Sequence, residues 1–254
     1  MPEPDLRSLR ARLWAESRLV RETVERDGIA SYARSLSNLS DAFRPGDRGL
    51  RCIDGRTPGG VRLAGSGILM GLQKARAFAE AAGADRVTFH EDCGAARLWA
   101  TENSRDVTEA TACAREFAQQ LADALGVPCA ETPLVGPSGF HDETVIYYDG
   151  TGLANPSRVS GLPKGFVVSR PYFGDDFVAA LDQVQLAVQL ALSDIGFADL
   201  FTPEHPLRLV AIGHPETGKI ACPTVEQLTQ ELGLLDLPPG NRVVIDGFAY
   251  GSGK

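Results

Sequence analysis

Between Gly49 and Leu125 the chain alternates short apolar runs with longer amphipathic ones, and this alternation restricts its fold more than any other feature. LRCID reads as a strand, ILMGLQKARAFAEAAG as a helix with Ile68, Leu69, Leu72, Ala75 and Ala79 on one face, and DRVTFH as a second strand. Gly83 suits the end of that helix. CGAARLWATEN reads as a short helix, and Asp106 with Glu109 forms a capping box for a longer one reaching Leu125. Strand, helix, strand, helix is the pattern of a parallel sheet. The expected class is therefore α/β, a mostly parallel central sheet flanked by helices.

The flanking regions extend this scheme. Residues 4–43 carry Leu, Trp, Val and Tyr at helical intervals among Arg and Glu, and RPGDRG closes them with turn residues. Residues 1–48 are thus expected to form an N-terminal helical arm, and residues 49–254 one α/β domain. Strands are expected near VPCAE, ETVIYY, GFVVS, LRLVAIG and RVVIDGF, with helices near DDFVAALDQVQLAVQLALSDIG and TVEQLTQELG. The Gly-, Pro- and Ser-rich stretch from Asp149 to Gly165 reads as a long surface loop. No sequence repeat is seen.

Charge narrows the function classes. With a net charge of −8 and Lys and Arg scattered among carboxylates, nucleic acid is excluded as the expected partner. The first residues lack the apolar core of a leader, and no run approaches a membrane span of about 20 residues, so a cytoplasmic protein with no membrane partner is expected. The five cysteines are an odd number in a chain too long for a small disulfide scaffold, which favours reduced thiols. Cys113, Cys129 and Cys222 read as packing residues.

Two cysteines stand apart. In CIDGR, Cys52, Asp54 and Arg56 alternate, and on an extended backbone alternate residues project to one side. His90 and Cys93 form His-x-x-Cys just after the second strand, a spacing that one tight turn can fold toward a point. Cys93 would also open a helix, where the partial positive charge favours thiolate. Parallel strands deliver ligands at their carboxyl ends. Cys52, His90 and Cys93 are therefore candidate ligands for zinc, with cadmium or cobalt as substitutes, and three ligands would leave a fourth position for water. Asp54, held by Arg56, would lie beside it.

These segments resemble a known family. CIDGR is similar to the Cys-x-Asp-x-Arg motif of the β-class carbonic anhydrases, FHEDCGA to their His-x-x-Cys-Gly segment, and VRLAGSGI to the Arg-Asn-Ala-Gly-Asn loop between them. Leu63 and Ser66 stand where that loop has its two Asn residues. CIDGR and ARLW are also similar to the cadmium-using class of diatoms, in which zinc and cadmium interchange. The similarity spans residues 49–100. It implies metal ligation by Cys52, His90 and Cys93, a catalytic Asp54–Arg56 dyad, reversible hydration of carbon dioxide to bicarbonate, and a homodimer or homotetramer. Relatives with this metal set hydrolyse carbonyl sulfide or carbon disulfide.

Other readings weigh less. GSGILMG has the wrong glycine spacing for a dinucleotide loop, and Pro58 stands where a cysteine phosphatase needs Arg. A Cys52 nucleophile with His90 as base leaves Cys93 and Asp54 idle. The main rival is a non-catalytic structural zinc site closed by a fourth protein ligand, with Asp54 nearest and His141 or Cys113 more remote. His141 otherwise reads as a surface histidine, and His205 and His214 as loop residues.

Overall fold

The structure is a computed structural model describing residues 6–44, 47–57, 59–136, 139–214 and 223–250, so Cys222 lies outside the described residues. The expected parallel sheet is present and is divided in two. The first contains β1 (Gly49–Arg51), β2 (Val61–Arg62), β3 (Arg86–Phe89) and β4 (Cys129–Glu131) in the order β2-β1-β3-β4. The second contains β5 (Val145–Asp149), β6 (Gly165–Ser169), β7 (Leu207–Gly213) and β8 (Val243–Ala249) in the order β6-β5-β7-β8. Every pair is parallel. The second strand of each sheet lies on one side of the first, and the third and fourth lie on the other. The strand order thus repeats where the sequence does not.

Parallel neighbours require crossovers; loops join β1 to β2 and β5 to β6, and helices supply the others. In the first half these are α4 (Leu72–Ala81), α5 (Gly94–Glu102) and α6 (Ala110–Leu125). In the second they are α7 (Phe177–Ala191) and α8 (Val225–Leu232), the latter opened by a Thr224–Gln227 capping box. β5 and β6 are buried at every residue, as expected of a parallel sheet covered on both faces.

The N-terminal segment forms α1 (Leu6–Glu16), α2 (Arg18–Asp27) and α3 (Ile29–Ser35). Trp14 sets its ring against Phe197 and Phe201 at centroid distances of 4.9 and 5.3 Å, under the Arg21 guanidinium. Val24, Ile29 and Ala33 pack with Val145, Tyr147 and Val210, so these helices cover the second sheet.

Several local expectations change. α4 begins at Leu72, after Gly71 with φ of 77°, which leaves Leu72 exposed and Ile68 in the core by way of the preceding turn. Val61 and Arg62 pair with β1 as an edge strand. Asp106 caps through Thr108 N at 2.9 Å, ahead of a 3₁₀ turn. The stretch from Asp149 to Gly165 is a loop only partly at the surface: Ser157, Arg158, Ser160 and Lys164 are exposed, but the Asp149 carboxylate accepts from Thr151 N, Thr151 Oγ1 and Ala154 N, and Ala154, Asn155, Pro156 and Val159 are buried. Internal hydrogen bonds replace the water that such a polar segment otherwise needs.

The two sheets meet beside the CIDGR turn, where Val167 N donates to Ile53 O at 3.0 Å. A Cβ on Gly55 would lie 2.4 Å from Gly165 O, a backbone atom that cannot rotate away. Gly55→Ala is therefore expected to lower stability by about 1–3 kcal/mol, the usual cost of overpacking. A urea midpoint unchanged from the parent's would show that this junction yields freely.

Candidate metal centre

β1 and β3 are adjacent, with Leu50 opposite Val87, so their carboxyl ends open side by side. Cys52 follows β1 and His90 follows β3. Asp92, at φ of 52°, makes the turn that brings Cys93 to the N-cap of α5. One ligand atom from each of Cys52, His90 and Cys93 lies within 4.8 Å of the others, and all three residues are buried. The convergence expected from the strand ends is present.

The donor set fits a metal. Two thiolates on one tetrahedral zinc at about 2.3 Å stand roughly 3.8 Å apart, and the Cys52 and Cys93 sulfurs are 3.9 Å apart. His90 Nδ1 is 2.6 Å from the Glu91 carbonyl, to which its N–H donates. Its Nε2 is left buried without a hydrogen-bond partner. Such an arrangement fixes the tautomer and frees one nitrogen for ligation. The Cys52 thiol close to Cys93, together with the Ala95 and Ala96 amides at the start of α5, holds Cys93 below the usual thiol range. Cys52 is pushed well above that range by its hydrogen bond with Cys93 and by burial. Burial opposes protonation of His90, but the Cys52 sulfur beside it outweighs that and pushes it up to about 9. A metal bound here would displace the protons held by His90 and Cys52.

The LAGSG segment covers the sulfurs. Gly65 N donates to Cys52 Sγ at 3.2 Å, and Ser66 Oγ donates to Thr88 O. Gly65 has φ of 53°, and a Cβ there would come within 2.8 Å of Ile68 Cγ2 and 3.1 Å of Ala95 Cβ, so glycine is needed on two counts. Beneath it, the buried Arg62 donates through Nη1 to Cys52 O, Asp54 O and Thr57 Oγ1, tying the turn together. Burial lowers Arg62 to about 10.

Asp54 and Arg56 do not continue β1. The strand ends at Arg51, and Thr57 N donates to Asp54 O at 3.0 Å, closing a turn about Gly55. The dyad still forms, because the turn folds Arg56 back on Asp54. Oδ1 accepts from Arg56 N and Nε at 2.9 and 3.0 Å, and Oδ2 from Nη2 at 2.7 Å. Arg56 Nη1 also donates to Phe140 O at 2.9 Å. Burial disfavours the Asp54 carboxylate, but Arg56 and His141 outweigh it and hold the carboxyl well below its ordinary range.

His141 is not a surface histidine. It is 2% exposed, and its Nδ1 lies 3.6 Å from both Asp54 Oδ2 and Glu143 Oε2, beyond hydrogen-bond length. Glu143 Oε1 accepts from Gly55 N at 2.9 Å. Asp54, His141 and Glu143 thus form a second group whose geometry is compatible with a metal. A cation there would face the Arg56 guanidinium already bonded to Asp54, whereas Cys52 and Cys93 offer two sulfur donors of the kind that soft metals take once deprotonated. A cavity of about 340 Å³ reaches Gly55, Arg56, Arg62 and Glu143 but is not lined by any of the three ligands.

His205 pairs with Glu25 at 3.0 Å, and His214 joins Thr224 in a single bridge, so neither reaches the centre. Sequence reasoning missed Glu143 and Arg62. The one legible sign of Glu143 was a charged HDE run placed directly before a strand that is otherwise apolar. No helix among the described residues is long and apolar enough to cross a membrane. No protein-family model, no curated protein and no solved structure matches the chain.

Proposed function

We propose that the chain is a zinc-dependent carbonic anhydrase-like lyase that hydrates carbon dioxide reversibly, with Cys52, His90 and Cys93 as the metal ligands. The observation that carries this reading is the position of Asp54: both of its oxygens are taken by Arg56, and it stands outside the ligand triad. Zinc held by three protein ligands supplies hydroxide near neutral pH. Asp54 accepts a hydrogen bond from the attacking oxygen and aims its lone pair at the substrate carbon. Arg56 keeps Asp54 charged and prevents it from swinging toward the sulfurs. The same chemistry would serve carbonyl sulfide or carbon disulfide equally well. The Lewis-acid assignment stays with zinc, with cadmium or cobalt able to substitute.

Burial of all three ligands, each at 5% exposure or less, also suits a structural zinc site. Metal analysis of the purified chain together with stopped-flow hydration of carbon dioxide separates the two. About one zinc per chain and a measurable hydration rate are expected. A zinc-loaded chain inert toward carbon dioxide, carbonyl sulfide and carbon disulfide would leave the structural site as the answer.

A further inference from the structure

Helix α7 belongs to the second half of the fold, and its inner face is apolar: Ala180, Val184, Ala187 and Ala191 are fully buried. Gln183 sits in the same face at 4% exposure. Burying an amide side chain is costly unless it is hydrogen-bonded. Gln183 Oε1 accepts from Ala64 N at 2.9 Å, a contact across 119 residues.

Ala64 is the residue before Gly65, whose N–H reaches Cys52 Sγ. The intervening backbone does not rest there by itself. Gly65, Ser66 and Gly67 take φ of 53°, 54° and 106° in succession, and Ser66 is not a glycine. A non-glycine residue in this region costs of order 1 kcal/mol and persists only where its surroundings hold it. Besides its own turn bonds and the Gly65 N–H to Cys52 Sγ, two side-chain bonds tie it to the rest of the fold: Ser66 Oγ to Thr88 O on β3, and Ala64 N to Gln183 on α7. The loop has no slack in the other direction, since a Cβ on Gly65 would lie 2.8 Å from Ile68 Cγ2 and 3.1 Å from Ala95 Cβ.

We infer that Gln183 is a positioning residue of the metal centre: it fixes the loop amide that donates to Cys52 Sγ and so sets how strongly that sulfur donates to a metal. This rests on the ligand assignment above. An N–H held against a thiolate withdraws charge from the sulfur, which leaves a bound metal more electron-poor. Partners of this kind outside the ligand set change metal affinity by about 10–100-fold when removed. Gln183 touches neither metal nor substrate, and acts through the backbone of Ala64 and Gly65.

Cobalt(II) reports the sulfur directly, through its thiolate charge-transfer absorption. The full-length parent, Gln183→Leu, Gln183→Met and Gln183→Glu are titrated with cobalt against a competing chelator, with folding checked by circular dichroism. Met serves as the second apolar variant should Leu fail to fold. Loss of the acceptor in Leu or Met is expected to move the band to lower energy and to change cobalt affinity about tenfold or more. Glu keeps an acceptor oxygen at the same reach and is expected to restore the parent's band. A folded Leu or Met variant with the parent's band position overturns the inference while the ligand assignment stands, as does a changed affinity with an unmoved band that Glu fails to restore. A parent chain without any thiolate–cobalt band overturns the ligand assignment, and the inference with it.

Discussion

Asp54→Asn is expected to slow carbon dioxide hydration by about 10²- to 10⁴-fold, the usual cost of losing a positioned proton acceptor, with zinc content near the parent's. The substitution preserves size and replaces an acceptor oxygen with an NH₂ donor, turned toward the Arg56 guanidinium that now bonds both oxygens. The attacking oxygen then loses its orientation, although the Cys52, His90 and Cys93 side chains are untouched. Arg56→Ala should resemble it, because a freed Asp54 can close on the metal. Under the structural-zinc reading with Asp54 as a ligand, the same Asn variant would bind less zinc and melt earlier. Zinc content by mass spectrometry and initial rates by stopped flow, on the same preparation, separate these results.

His90→Ala and Cys93→Ala are each expected to reduce bound zinc from about one per chain to near zero and to abolish hydration. The effect should also appear in thermal melting. A ligand present at a thousand times its dissociation constant stabilises the native state by about 4 kcal/mol, so added zinc should raise the parent's melting temperature and leave that of the two variants unmoved. Chelation should bring the parent down to the variants' level. If zinc stabilises His90→Ala as much as the parent, His90 is not a ligand.

The convergence of Cys52, His90 and Cys93 was legible in the sequence because it depends on local matters: two strand ends, a three-residue spacing and a helix start. The Asp54–Arg56 pair was legible as a pair, but not for the reason of strand alternation. Gly55 turns the chain after Arg51, and the pair forms through that turn. What sequence could not supply is whatever comes from far along the chain. His141 looked exposed because GFHDET is polar, yet Phe166 packs near its ring and the second sheet buries it. Glu143 meets Gly55 across 88 residues and Gln183 meets Ala64 across 119. Neither contact leaves a periodic mark. The split into two sheets was hidden for the same reason: each strand was visible, but pairing is decided between strands.

The doubled strand order has a consequence for how the protein responds to dilution. His141, Glu143 and Gln183 come from the second half and the Cys52–His90–Cys93 cluster from the first, yet one chain carries both. A covalent tether keeps the two halves at an effective concentration in the millimolar range or above, whatever the concentration of the protein itself. If the proposed hydration is observed, its rate per zinc-loaded chain is therefore expected to hold constant from micromolar to picomolar protein.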